Sequence, residues 1–279
     1  KDIVMGSLQS LSMKEYDKGT FDEFGLVICD EVHNFAAEVF SRALFKTNFK
    51  YSLGLSATIT RKDGLSKVFK WHLGDIVYKE NKKKIDDVNV CCYEYEDDDE
   101  EYCKEETIYT GKLNMAKMIN NICNFEPRID FIVDIINNIK KKEPNRNILL
   151  LSDRREHLKL LYELLDGYSR GYYVGGMKPF DLHESQEKDV ILGTYSMAAE
   201  GMDIPKLNTI ILASPKSDVV QAVGRIMREK ANVRKFHPLI IDINDTHPNF
   251  GTFKRQWAKR ITFYKQQQYK IILHKVDGS

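Results

Sequence analysis

Short uninterrupted apolar runs alternate along the chain with stretches in which apolar residues recur every three to four positions, a pattern that predicts strands alternating with helices. The predicted strands are Ile3-Val4-Met5, Leu26-Val27-Ile28-Cys29, Tyr51-Ser52-Leu53-Gly54-Leu55, Asp75-Ile76-Val77-Tyr78, 88–95, Ile148-Leu149-Leu150-Leu151, Tyr172-Tyr173-Val174, Val190-Ile191-Leu192, Ile210-Ile211-Leu212 and Leu239-Ile240-Ile241. Runs without polar alternation suit strands covered on both faces, as in a parallel sheet. Helical spacing marks 8–13, 36–46 and 65–71, two helices over 114–142 broken near Pro127, and a helix bearing Leu158, Leu161, Leu164 and Leu165 with Gly167 as its C-cap. The expected fold class is therefore α/β with parallel, doubly wound sheets. The polar, basic stretch 79–84 places a domain junction near 80–86.

Composition changes this picture little. A chain of 279 residues accommodates two modest domains. Its 42 Lys plus Arg nearly cancel its 41 Asp plus Glu, so any nucleic-acid contact must come from local patches. No apolar run reaches the ~18–20 residues of a membrane span, and the first residues do not resemble a signal peptide. An intracellular protein is expected. Five cysteines, an odd number, read as free thiols, and Cys91, Cys92, Cys103 and Cys123 lack the paired spacing of a zinc site. The acidic run 94–106 reads as a solvated loop, with a decoy for a basic partner as the sharper alternative. The tail 253–276 mixes Lys254, Arg255, Lys259 and Arg260 with Trp257, Phe263, Tyr264 and Tyr269. It reads as an amphipathic helix packing its aromatics, or as a platform on which bases stack.

Three stretches carry candidate chemistry. The strand at Leu26 delivers Asp30 and Glu31 to its C-terminal edge, where ligands bind in open α/β sheets. Mg²⁺ keeps most of its waters and takes one or two protein carboxylates, so Asp30 suits the metal and Glu31 is left to polarise a water. Two solvated acids after a strand are the plainer alternative. Gly193 to Pro205 follows another buried strand, which puts Thr194, Ser196 and the Gly201-Met202-Asp203 turn on the ligand edge of the second sheet. In the third stretch, Ser217 and Asp218 start a helix, along which Gln221, Arg225 and Arg228 share one face. Two guanidiniums and an amide together make a phosphate clamp, with a solvated Arg pair as the alternative. Gly224 would admit a close backbone or ligand.

In order, these stretches and the Ser56-Ala57-Thr58 strand end give Asp-Glu-Val-His, Ser-Ala-Thr, Gly-Thr-x-x-x-x-x-Gly-x-Asp-Ile-Pro and Gln-x-x-Gly-Arg-x-x-Arg. The set resembles motifs II, III, V and VI of superfamily 2 DExH-type helicases and translocases. Its flanks are most similar to the XPB-type branch and its viral relatives. The resemblance implies two RecA-like domains, 1–85 as the C-terminal part of the first and 86–279 as the second with a helical tail. ATP would lie in the cleft between them and a DNA strand, or RNA, across both. It further implies that Asp30 engages Mg²⁺ and Glu31 activates water. His33, Ser56 and Thr58 would couple hydrolysis to movement, and Gly201 and Asp203 would approach the nucleotide. Arg225 and Arg228 would serve as arginine fingers, with Gln221 positioning the γ-phosphate and Thr194 contacting nucleic acid beside Ser196. The expected location is the nucleus, or a viral factory or virion for a viral protein.

The family's motif I, Gly-x-x-x-x-Gly-Lys-Ser/Thr, is not found in the 279 residues. The expectation is that a preceding segment carries this phosphate loop, that the first domain is incomplete without it, and that residues 1–279 alone do not turn over ATP. A non-catalytic helicase-like module that binds nucleic acid or protein is the competing reading.

Overall fold

The computed structural model describes residues 2–32, 37–56, 66–79, 88–199, 202–229 and 233–277, and divides into two compact units, Lys1–Lys82 and Lys83–Ser279. In the first unit, α1 (Leu8–Met13) is opened by Ser7, whose hydroxyl accepts the Ser10 N–H at 3.2 Å. Strands β1 (Leu26–Cys29) and β2 (Tyr51–Gly54) pair in parallel, with Leu26 opposite Tyr51 and Cys29 opposite Gly54. Helices α2 (Ala37–Phe45) and α3 (Ser66–Leu73) pack on one face of this ribbon. There Val27 and Cys29 meet Phe40, Ala43, Leu44 and Phe69, the two phenylalanine rings edge-to-face at 5.1 Å. A Cβ at Gly54 would stand 2.6 Å from Leu73 Cδ1, so a larger residue there would make the end of the Leu73 side chain move.

The sheet of the second unit has seven strands, β3 (Asn89–Glu96), β4 (Ile148–Leu151), β5 (Arg170–Tyr173), β6 (Val190–Gly193), β7 (Thr209–Leu212), β8 (Leu239–Asp245) and β9 (Lys270–Asp277). They run parallel in the order β5-β6-β4-β7-β8-β3-β9. Side chains of a strand alternate between faces, so Ile148 and Leu150 enter one core while Leu149 and Leu151 enter the other. Helices α4 (Met115–Asn124), α5 (Glu126–Lys142) and α6 (Arg155–Leu164) cover the first face through Met118, Ile122, Ile132, Ile136, Leu158 and Leu161. Helix α7 (Pro179–Gln186) lies against β5, where Gly171 leaves room for the Ser185 backbone. Helices α8 (Tyr195–Ala199), α9 (Val220–Gly224) and α10 (Gly251–Gln266) cover the second face through Tyr195, Ala198, Ala222, Val223 and Tyr264. β4, β6 and β7 are buried along their whole length, as unbroken apolar runs require.

Several expectations fail in physically instructive ways. β1 and β2 are not covered on both faces: Leu26, Ile28, Tyr51 and Leu53 are exposed, since among the described residues the helices supply apolar partners to one side only. Ile3-Val4-Met5 and Asp75-Ile76-Val77-Tyr78 are irregular and exposed, because no described strand offers them a ladder. The tail is not one helix. It turns after α10 and returns as β9, which extends the sheet beside β3. α6 is closed by Leu165, whose N–H bonds Leu161, rather than by Gly167. The acidic run is less solvated than its charge suggests, for Tyr102 is buried within it and Glu106 pairs with Lys117 at 2.8 Å. All five cysteines are free thiols, and burial raises the pKa of each. No helix among the described residues is long and apolar enough to cross a membrane.

Candidate functional site

Asp30 and Glu31 stand at the C-terminal tip of β1, Asp30 exposed and Glu31 half-buried. The tip is fixed by two backbone bonds to the strand beside it, Leu55 N–H to Cys29 O at 2.8 Å and Val32 N–H to Leu55 O at 3.2 Å. Glu31 has φ 48°, in the left-handed region. A side chain there costs about 1–2 kcal/mol, and the turn is supported by Asp30, whose Oδ1 accepts the Glu31 N–H at 2.9 Å. Half-buried Ser56 follows directly on this tip. His33 and Thr58 lie outside the described residues. Among the described residues no three His, Cys, Asp or Glu side chains converge as a metal cage. Asp30, an exposed carboxylate at the strand tip, fits a cation that retains water and takes one protein carboxylate, as Mg²⁺ does.

In the second unit the C-terminal ends of β6 and β7 carry the other candidates. Thr194 and Ser196 bracket the start of α8, their hydroxyl oxygens 3.2 Å apart, with Ser196 exposed. The predicted helix from Ser217 begins later, at Val220, with Asp218 Oδ1 accepting the Val220 N–H at 3.4 Å. It tightens after Gly224 into a 3₁₀ turn over Arg225–Met227. Both arginines nonetheless meet the same segment, as their spacing predicts. Arg225 donates to the carbonyls of Ala198 at 2.5 Å, Met202 at 2.7 Å and Ala199, whereas Arg228 pairs with the carboxylate of exposed Asp203. Gln221 is half-buried, and Gly201 falls outside the described residues. A Cβ on Gly224 would meet nothing within 4 Å, so the unit's own packing does not demand that glycine.

The side chains missed in the sequence are those beneath this surface. Asp242 and Asp245 lie in one buried strand but face opposite cores, and each binds a buried arginine and a tyrosine. Arg260 Nη2 reaches Asp242 Oδ1 at 2.8 Å and Tyr264 donates to Oδ2 at 2.9 Å; Arg128 Nε reaches Asp245 Oδ1 at 2.6 Å and Tyr102 donates to it at 2.9 Å. Burial opposes the charge on both guanidiniums, but the facing carboxylates outweigh it and raise their pKa. Arg260 is therefore spent inside the fold and cannot serve the base-stacking platform considered for the tail. Tyr264 is buried with it, Trp257 is half-buried, and Phe263 and Tyr269 are half-buried against the second core. The signal was present as carboxylates inside an apolar run, since a buried charge demands a partner.

His157 is buried below the same edge, its Nδ1 3.0 Å from Ser152 Oγ. Burial, helped by the charge of Arg128, pushes its pKa from 6.5 down to about 3. The unfolded imidazole takes up a proton below about 6.5 while the folded one does not until about 3. Its contribution is thus complete above that upper value and lost progressively toward the lower one, at about 1.4 kcal/mol per pH unit. In denaturant titrations at pH 7 and pH 5, the wild type should lose about 2 kcal/mol more than His157→Leu on acidification. Equal losses in the two proteins would contradict this.

The family described as helicase conserved C-terminal domain matches residues 127–230, and that described as type III restriction enzyme, res subunit, matches residues 1–61. A protein of Acanthamoeba polyphaga mimivirus, provisionally named an ATP-dependent RNA helicase, is 40% identical over 99% of this chain and 54% of its own. A similarly named protein of African swine fever virus is 24% identical over 97% of this chain and 56% of its own. The chain spans about half the length of these curated relatives. Among solved structures, T4 UvsW superposes with a TM-score of 0.54 at 20% identity, over 98% of this chain and 57% of that one. S. cerevisiae Dbp5 bound to RNA and ADP BeF3 superposes with a TM-score of 0.56 at 13% identity, over 91% and 60%. Both likenesses concern the fold, and they match the parallel α/β sheets described above.

Proposed function

Because the chain belongs to the superfamily 2 helicases, we propose that it takes part in ATP hydrolysis coupled to movement along nucleic acid, with Glu31 as the residue that polarises the attacking water. The observation that carries this reading is the left-handed backbone at Glu31. A glutamate held at φ 48° beside a second carboxylate, on the ligand edge of a parallel sheet, is strain that solvated surface acids have no need to keep. Asp30 holds Mg²⁺ directly or through its water. When bound, the metal offsets charge on the nucleotide's phosphates.

Arg225 and Arg228 serve the γ-phosphate, Gln221 positions it, and Gly201 and Asp203 approach the nucleotide. The ion pair between Arg228 and Asp203 supports that role, because a guanidinium held by one exposed carboxylate is readily exchanged onto a phosphate oxygen. His33, Ser56 and Thr58 link hydrolysis to movement. Thr194 and Ser196 contact the backbone of the nucleic acid, and two hydroxyls of this kind read phosphate rather than sequence. DNA is the substrate implied by the motif resemblance, and RNA is the second reading, favoured by the names of the mimivirus and African swine fever virus relatives.

Phosphate release by the complete gene product, measured with single-stranded DNA and RNA of equal length, tests the proposal. Stimulation by one of them is expected, and its identity assigns the substrate. Hydrolysis that neither polymer changes would overturn the coupling to nucleic acid.

A further inference from the structure

Helix α10 carries five basic residues and no acid, and the acid-free stretch runs beyond the helix: residues 246–276 hold seven Lys plus Arg and no Asp or Glu. With 41 acids in 279 residues, a stretch of that length should contain about four. A chain of net charge +1 has therefore gathered positive charge locally here. One of the five, Arg260, is bound to Asp242 inside the fold. The other four, Lys254, Arg255, Lys259 and Lys265, are exposed, and among the described residues no carboxylate pairs with any of them.

Helical periodicity sorts the four into two rows. Lys254 and Lys265, about three turns apart, lie on one flank of the exposed face, and Arg255 and Lys259, one turn apart, lie on the other. Between the rows run exposed Ala258 and Thr262, whose small side chains leave the middle of the face low. Phe253, Arg260 and Tyr264 are buried on the opposite side, so the rows are held toward solvent by an anchored helix.

The spacing suits a regular polyanion. Lys254 to Lys265 spans about 16 Å of helix, and each strand of a duplex presents a phosphate about every 3.4 Å of its axis, so about five phosphates match the stripe. The aromatics decide between paired and unpaired polymer. Trp257, Phe263, Tyr264 and Tyr269 are buried or half-buried, and none stands exposed where an unpaired base would need a ring to stack on. A duplex needs no such ring, because its bases are already stacked and its outer surface is phosphate.

We propose that the outer face of α10 is a binding site for the phosphate backbone of double-stranded nucleic acid, separate from the Thr194 and Ser196 hydroxyls. Lys254, Arg255, Lys259 and Lys265 neutralise its phosphates, and contacts of this kind read no sequence. The proposal rests on the functional reading above only in taking nucleic acid as the polymer.

The test combines Lys254→Gln, Arg255→Gln, Lys259→Gln and Lys265→Gln in the complete gene product, beside a control combining Lys112→Gln, Lys141→Gln, Lys142→Gln and Lys159→Gln. Each set removes four exposed positive charges from the second unit, and Gln is a good helix former. Fluorescence anisotropy over a range of salt concentrations measures binding of a blunt duplex of about 20 base pairs, as DNA and as RNA, and of a single strand of the same length. For the duplex that the wild type binds more tightly, the slope of log Kd against log salt should fall by about 3–4 in the stripe variant, at about 0.9 for each lost phosphate contact. Lys254→Gln with Lys259→Gln alone should lower it by about half as much. The control should keep the wild-type slope, and the single strand should lose far less than the duplex. A stripe variant with the wild-type duplex slope, a control that loses as much, or an equal loss on the single strand would overturn the duplex site and leave the functional reading intact. A wild-type product that binds neither duplex nor single strand would overturn both.

Discussion

Arg260→Leu should destabilise the second unit by about 3–5 kcal/mol, the usual cost of removing one partner from a buried ion pair. Asp242 is wholly buried and Arg260 is 3% exposed. Without the guanidinium, the Tyr264 hydroxyl is the hydrogen-bond donor that remains to the carboxylate among the described residues. For a unit of this size the change lowers the thermal midpoint by roughly 10 °C. The penalty belongs to the orphaned charge rather than to the arginine itself. Replacing the whole group, with Arg260→Met, Asp242→Leu and Tyr264→Phe together, should therefore recover most of the lost stability, because a well-packed apolar set avoids the cost of burying charge. Differential unfolding of the wild type, the single variant and the triple variant checks this. A single variant within 1 kcal/mol of wild type would mean that Asp242 finds another partner.

The strands that were easiest to read are those with helices on both sides. Ile148 to Leu151 and Val190 to Leu192 are apolar at every position because both faces are covered, and their run length alone identifies them. The same signal misled at Ile3 to Met5 and Asp75 to Tyr78, since an apolar triplet becomes a strand only where a ladder partner stands beside it. β9 was hidden by its composition: Lys270, His274 and Lys275 interrupt the apolar residues, and an edge strand tolerates such interruption. In the site, the arginine pair was legible because its spacing brings both side chains onto residues 198–203 whether the turn is α or 3₁₀. Asp242 and Asp245 inside an apolar run signal that buried partners exist, but not which, because pairing Arg128 with Asp245 needs a contact between residues 117 positions apart. Local pattern carries no such information.

Removing the charge of Arg228 should cut ATP turnover by about 10³–10⁵, the range typical of an arginine that stabilises a transferring phosphoryl group. Arg228→Lys should fail nearly as badly as Arg228→Ala, because an ammonium cannot reproduce the bidentate fork. Stability should change little, since Arg228 is exposed and its pair with Asp203 is a surface one worth at most about 1 kcal/mol. That contrast separates it from Arg260, whose loss acts through folding. Steady-state phosphate release and thermal unfolding of the same preparations give both values. Near-normal kcat in Arg228→Ala would remove this residue from the chemistry.

The most direct measurement of the central claim is a paired ATP titration and single-turnover hydrolysis assay on the complete gene product and its Glu31→Gln variant. The amide preserves the size of the side chain and its backbone but cannot take a proton from water. The account predicts that ATP binds the two proteins with similar Kd while the chemical step in Glu31→Gln falls at least 100-fold. Full hydrolysis by Glu31→Gln, or wild-type protein that binds nucleic acid without hydrolysing ATP at all, would contradict it.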